Sequence, residues 1–201
     1  MDEHYFSADP TVAFRRVPVH ATVWGHDLTL TSASGVFARG RLDVGTGVLF
    51  RATTPPPSGT LLDLGCGYGM IGLALATAAP TARVWGVDVN ERAVLLANEN
   101  AVALGVEERF TAVTPDDLPD EVSFDEIWSN PPIRIGKQAL HDLLLRWLSR
   151  LAPSGRAVLV VGKNLGADSL QRWLGERGYP TERLASAKGF RVLESRPVNN
   201  R

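Results

Sequence analysis

The chain has 201 residues, 44% of them hydrophobic and 21% charged, with a net charge of −1. That length buries a sizeable core as one domain, and near-neutrality excludes a surface that is basic all over, though not a local basic face. The single cysteine, Cys66, excludes an internal disulfide and points to a reducing cytoplasm, while no apolar run reaches membrane-spanning length and residues 1–6 lack the pattern of a signal peptide.

In chain order, residues 17–23 and 28–31 alternate and are rich in β-formers, and Gly25-His26-Asp27 between them predicts a hairpin. Residues 43–52 carry Val44, Val48 and Leu49 on one face of a predicted helix. Thr54-Pro55-Pro56-Pro57-Ser58-Gly59 is a stop and a linker. Residues 1–57 are therefore expected as an N-terminal hairpin and helix packed on a main domain of residues 58–201. Beyond the linker, strands and helices alternate. Strands are predicted at 60–64, 83–88, 109–113, 124–129 and 156–161, with a closing pair at 181–185 and 190–195. Helices are predicted at 70–79, 91–104, 138–151 and 167–177, the third with Leu140, Leu143, Leu144, Trp147 and Leu148 on one face. Such alternation means a mostly parallel sheet covered on both faces, with ligands at the carboxyl ends of its strands.

Gly65, Gly67, Gly69 and Gly72 follow the first of these strands and open a helix. Glycine lets the backbone turn sharply and lets a ligand approach without a Cβ in the way. Gly67-Tyr68-Gly69-Met70-Ile71-Gly72 matches the dinucleotide fingerprint, and Asp88 stands at the end of the next strand, where an acid accepts from ribose hydroxyls. Asp88 alone does not separate NAD from another ribose-bearing cofactor. Asp63 tilts the choice, because a carboxylate there holds a cationic amino group and repels a pyrophosphate. Cys66, inside the turn, reads as a small residue that fits a tight loop. Ser129-Asn130-Pro131-Pro132 ends a later strand in a rigid corner. That corner aims the Asn130 side-chain carbonyl and the backbone carbonyl before the prolines one way, as acceptors for a planar amino group.

The stretch Asp63-Leu64-Gly65-Cys66-Gly67-Tyr68-Gly69 resembles the first motif of class I S-adenosylmethionine-dependent methyltransferases, and Asn130-Pro131-Pro132 resembles that of enzymes acting on exocyclic base amines or glutamine amides. The longer string from Asn130 to Lys137 is similar to the methyltransferase small domain family, which includes enzymes that methylate the guanine exocyclic amine in 16S ribosomal RNA. Asp27-Leu28-Thr29-Leu30-Thr31-Ser32, Leu42-Asp43-Val44-Gly45-Thr46 and Gly189-Phe190-Arg191-Val192 agree with it. The resemblance implies an α/β, Rossmann-like fold with a seven-stranded, mostly parallel sheet, helices on both faces and a short N-terminal β-hairpin segment. It implies S-adenosylmethionine held by Asp63, Gly65, Cys66, Gly67, Gly69, Asp88, Val89, Asp116 and Asn130. It implies catalysis at Asn130, Pro131 and Pro132, and substrate contacts from Phe37, Ile133, Arg134 and Lys137. Phe37 and residues 43–46 are expected to fold over the cofactor as a lid, with a hydrophobic plug and helix start as the alternative. At Ile133 the sequence departs from the family, where an aromatic that stacks on the flipped base is common.

The implied activity is methylation of a base amine, guanine N2 of ribosomal RNA first, with adenine, a protein glutamine, or a non-catalytic ribosome-assembly role as alternatives. RNA or a ribosomal particle is the expected partner, without metal or membrane, for a monomer or weak homodimer. Arg15, Arg16, Arg39 and Arg41 could extend a basic track from Arg134 and Lys137. Asn98 and Asn100 are expected to face solvent or cap their helix, and His141 to be structural or exposed.

Overall fold

Alternate residues of the strand Leu61-Leu62 point to opposite faces, and each face meets its own layer of helices. The computed structural model describes residues 15–36, 40–132 and 135–198. Strands β1 (Arg16–Val23) and β2 (His26–Ala33) form an antiparallel hairpin. Helix α1 (Val44–Ala52) leads to β3 (Ser58–Leu64), α2 (Met70–Ala78), β4 (Thr81–Val87), α3 (Glu91–Leu104) and β5 (Phe110–Val113). Then come β6 (Phe124–Ser129), α4 (Lys137–Leu148), β7 (Leu151–Gly162), α5 (Ala167–Glu176), β8 (Thr181–Ala187) and β9 (Phe190–Ser195).

The seven-stranded sheet runs β5-β4-β3-β6-β7-β9-β8, parallel except where β9 pairs with β7 and β8. Leu61, Val84, Val158 and Val160 face the hairpin, α1, α2 and α3, while Leu62, Leu64, Ile127 and Leu159 face α4 and α5. The strand order reverses between β3 and β6, so the carboxyl ends of those two strands open a crevice.

Three local expectations change. The hairpin turns at Trp24-Gly25, not at residues 25–27, because Val23 pairs with His26. Both turn residues have positive φ, 49° and 84°, the conformation that matches strand twist. Trp24 is held there by its indole N–H, which donates to the Phe50 and Thr53 carbonyls at 3.0 and 2.9 Å, and by an edge contact with Phe50. The helix predicted at 138–151 stops at Leu148, and β7 begins at Leu151 rather than 156. Pro153 cannot continue a helix, and the Phe124 N–H claims the Arg150 carbonyl at 2.9 Å.

The third change concerns Asn98 and Asn100, which face inward. Asn98 exchanges two hydrogen bonds with the Ala112 backbone, both 2.9 Å. Asn100, 2% exposed, accepts from the Thr31 N–H at 2.7 Å and donates to the Thr31 and Tyr68 carbonyls, both at 2.9 Å. It ties the hairpin to α3 and to the glycine turn. His141 takes the structural role expected of it: it is buried and stacks on Trp173, ring centroids 3.6 Å apart, joining α4 to α5.

Asn100→Ala leaves the Thr31 N–H and two carbonyls without a partner, at a cost of roughly 1–3 kcal/mol for each group left buried. A lower urea midpoint and faster hydrogen exchange of the hairpin amides are expected. Unchanged hairpin exchange would show that the hairpin stays docked without this anchor.

Candidate functional site

The turn after β3 is built by glycines that must adopt left-handed backbone. Gly65, Gly67 and Gly69 have φ of 72°, 55° and 92°, and Gly69 caps the N-terminus of α2. The Gly65 and Cys66 N–H groups both donate to the Val87 carbonyl, at 2.8 and 3.0 Å, which binds the turn to β4. Tyr68 and Cys66 are buried under it. Burial pushes the Cys66 thiol up, with the charges of Asp88 and Asp63 adding to the effect, so the thiol stays protonated and unreactive.

Asp63, in β3, is 1% exposed. Its Oδ2 accepts from the Gly72 N–H at 2.7 Å, and its Oδ1 is buried with no hydrogen-bond partner. Burial raises its pKa to about 7, the Gly72 N–H opposes the rise, and the charge of Asp88 adds to it. Gly72 is required by this packing. A Cβ there would lie 2.6 Å from Phe110 Cε2 and 3.1 Å from Asp63 Cβ. Gly72→Ala is therefore expected to cost roughly 1–3 kcal/mol of stability and to displace Asp63. A lower thermal midpoint together with weaker S-adenosylhomocysteine binding by calorimetry checks it.

Asp88 follows β4. Its Oδ2 accepts from the Gly67 N–H and its Oδ1 from the Asn90 N–H, both at 2.9 Å. Burial raises its pKa, and these N–H groups work against the rise. Asp88 thus braces the glycine turn, and each oxygen keeps a second lone pair for another donor. Asn90 caps α3 and donates to the Gly35 carbonyl at 2.8 Å, so the chain after β2 is docked against the same loop.

The corner after β6 meets the turn directly. Ser129, fully buried, donates to the Leu64 carbonyl at 2.6 Å. A Cβ on Gly65 would touch Pro132 Cδ at 3.9 Å. Asn130 Nδ2 donates to Asp43 Oδ2 at 2.8 Å and to Thr46 Oγ1 at 3.1 Å. Asp43 is the N-cap of α1 and accepts the Thr46 N–H at 2.9 Å. Asp43, Thr46, Asp63, Gly65, Cys66, Gly67, Tyr68, Met70, Ile71 and Asn130 line one cleft.

The expected residues fall into three groups. Asp63, Gly65, Cys66, Gly67 and Asn130 share the cleft; Gly69 and Asp88 hold the turn that forms it, Pro132 lies against Gly65, and Pro131 is buried next to Asn130. Val89 is 45% exposed beside Asp88, and Lys137 is exposed at the start of α4. Asp116 does not line the cleft; its side chain is 95% exposed and lies 3.8 Å from Arg146 of α4. Phe37, Ile133, Arg134 and Arg39 lie outside the described residues. Arg16, expected on a basic track, pairs with Glu99 at 2.7 Å. Residues 43–46 begin a helix packed on β7 and β9. Asp43 and Thr46 as partners of Asn130, and Tyr68 as a wall, were not legible beforehand. Asp43-x-x-Thr46 is helix-cap spacing and gives no sign of a partner 87 residues away.

The cleft fits the cofactor implied by the glycine motif. Asp63 Oδ1 is an unpartnered buried acceptor in its wall, suited to the ammonium of a methionyl group. Among the described residues no group of three or more His, Cys, Asp or Glu side chains is placed to hold a metal, and no helix is long and apolar enough to cross a membrane.

Residues 27–194 match the family model described as methyltransferase small domain. The uncharacterized protein YbxB of Bacillus subtilis is 35% identical over 98% of this chain and the whole of that protein. Ribosomal RNA small subunit methyltransferase C of Pseudomonas aeruginosa is 37% identical over 85% of this chain and 51% of that enzyme. The chain thus spans about half the length of the curated methyltransferases it matches. Among solved structures, a T. thermophilus 16S rRNA N2 methyltransferase in complex with AdoMet and guanosine aligns with a TM-score of 0.75 at 25% identity. That alignment covers 94% of this chain and 52% of the other. A ribosomal protein L11 methylase from Lactobacillus delbrueckii shares the fold, with a TM-score of 0.60 at 21% identity over 78% of this chain and 84% of that one.

Proposed function

The chain belongs to the methyltransferase small domain family, and from that premise we propose that it methylates an exocyclic amine of a nucleic-acid base, guanine N2 of small-subunit ribosomal RNA. Its fold is that of class I methyltransferases and its cofactor is S-adenosylmethionine, so the NAD reading of the glycines is set aside. When bound, that cofactor supplies an electrophilic methyl group on a sulfonium.

One observation carries the proposal. Both amide hydrogens of Asn130 are engaged inside the protein, by Asp43 and Thr46, so its side-chain carbonyl is the atom left to accept from a substrate amine. Beside it, Asp63 offers its unpartnered oxygen to the amino-acid end of the cofactor. The protein's task is to hold an amine at the distance and angle of attack, because the electrophile is already activated and orientation lowers the remaining barrier. Asn130 accepts one amine hydrogen, which orients the nitrogen lone pair. Tyr68, Met70 and Ile71 give the cleft an apolar wall. A base reaching the cleft must leave its stack. The relatives named for ribosomal RNA methylation support this substrate class and a cytoplasmic setting, where that RNA resides.

The test is nucleoside mass spectrometry of ribosomal RNA from cells with and without the protein, together with radiolabelled methyl transfer to purified 30S particles. N2-methylguanosine that depends on the protein is expected. N6-methyladenosine, or label in protein alone, would redirect the substrate to adenine or to a glutamine amide. Full biological activity of Asn130→Ala would favour a non-catalytic assembly factor.

A further inference from the structure

We infer that Asp43, the cap of helix α1, is a positioning residue that fixes the orientation of the Asn130 carboxamide. The inference deepens the proposed function, because that orientation decides which amide atom meets the substrate amine.

A carboxylate accepts hydrogen bonds and donates none. Asp43 Oδ2 stands 2.8 Å from Asn130 Nδ2. Turning the amide over would set Asn130 Oδ1 against that carboxylate oxygen, two acceptors with no hydrogen between them. The Thr46 hydroxyl takes the second amide hydrogen at 3.1 Å, so both are held. Among the described residues, no other group bonds to the Asn130 side chain. Asn130 Oδ1 is thereby left as the acceptor, within a cleft that Asp43, Thr46 and Asn130 all line.

Asp43 is itself fixed. It accepts the Thr46 N–H at 2.9 Å at the first turn of α1. The helix lies against β7 and β9. Gly45 makes the approach feasible, since a Cβ there would stand 3.0 Å from Asp43 Oδ2 and 2.8 Å from Phe190 Cε1. Asp43-Val44-Gly45-Thr46 thus acts as a rigid two-acceptor cradle for one amide, supplied by a segment that precedes the cofactor-binding strand.

The test is Asp43→Asn in the full chain. Asparagine is as good an N-cap as aspartate, so α1 keeps its start, but its amide can both donate and accept and no longer forces one orientation of Asn130. A kcat lower by roughly 10- to 100-fold is expected, the size of effect that misplacing a reacting group produces. The KM for S-adenosylmethionine is expected to stay within about threefold. In an Asn130→Ala background, Asp43→Asn should lower kcat no further. Thr46→Val, a second variant that keeps the carboxylate, should lower kcat severalfold and also lose its effect in that background. An unchanged kcat in Asp43→Asn, or losses that multiply with Asn130→Ala, overturns the inference. A readout independent of turnover separates it from the proposed function. The Asn130 side-chain amide resonances, identified by their loss in Asn130→Ala, should shift and exchange faster with water in Asp43→Asn. If wild-type protein methylates no ribosomal RNA, the substrate proposal fails while this readout still decides the role of Asp43; unmoved resonances overturn it.

Discussion

Asn130→Ala is expected to lower methyl transfer by roughly 100- to 1,000-fold, as removal of one preorganised dipole at a reacting centre does, with little change in cofactor binding. The reason is local. Pro131 and Pro132 hold their own φ angles whatever precedes them, and Ser129 remains bonded to the Leu64 carbonyl, so the corner survives. What disappears is the carbonyl oriented by Asp43 and Thr46. Single-turnover transfer of labelled methyl, with S-adenosylhomocysteine affinity measured by calorimetry, separates chemistry from binding. Wild-type turnover in this variant would remove Asn130 from the chemistry.

The second large effect is expected at Asp63. Asp63→Ala should weaken S-adenosylmethionine binding by roughly 30- to 1,000-fold, the range for removing one partner of a buried charge-assisted hydrogen bond. The wild-type group also sets a pH dependence. Burial raises its folded pKa to about 7, against roughly 3.9 in an unfolded chain. Between those values the folded state holds a proton that the unfolded state has lost. The stability contributed by this group is therefore complete below about pH 4 and is lost as pH rises through 7, at about 1.4 kcal/mol per unit.

Cofactor binding runs the other way. An ammonium selects the ionised carboxylate, so affinity is expected to fall by up to about tenfold per pH unit below 7, with a proton released on binding. Thermal melts of the free protein from pH 5 to 8, and calorimetry in buffers of different ionisation heat, measure both trends. Asp63→Asn should flatten both. A binding profile that is already flat in wild-type protein would mean that Asp63 does not face the ammonium.

Legibility followed chain separation. The glycine turn and the Asn-Pro-Pro corner were readable because each is a backbone conformation dictated by contiguous residues. Gly65, Gly67 and Gly69 need positive φ, and prolines restrict their own φ and the residue before them. The helix Glu91–Leu104 and the strands Phe124–Ser129 and Phe190–Ser195 followed from hydrophobic period alone. Asn100 was misjudged because its three bonds go to Thr31 and Tyr68, partners 69 and 32 residues away. Leu151 reads as a helix end and residues 152–155 as a link in isolation, and they became strand because the chain pairs beside β6, where Phe124 meets Leu151 and donates to the Arg150 carbonyl.

By itself, then, the amino-acid sequence determined the mostly parallel sheet, the glycine turn after its first strand, and the Asn-Pro-Pro corner three strands on. Those depend on periodicity and on local backbone sterics, which neighbouring residues settle among themselves. Tertiary structure alone decided that Asp43 holds Asn130, that Asp88 braces Gly67, and that Asp116 stands outside the cleft beside Arg146. Such pairings depend on strand order and on how the first helix seats against the sheet. No local preference encodes them, because the free energy that selects them comes from packing between distant segments.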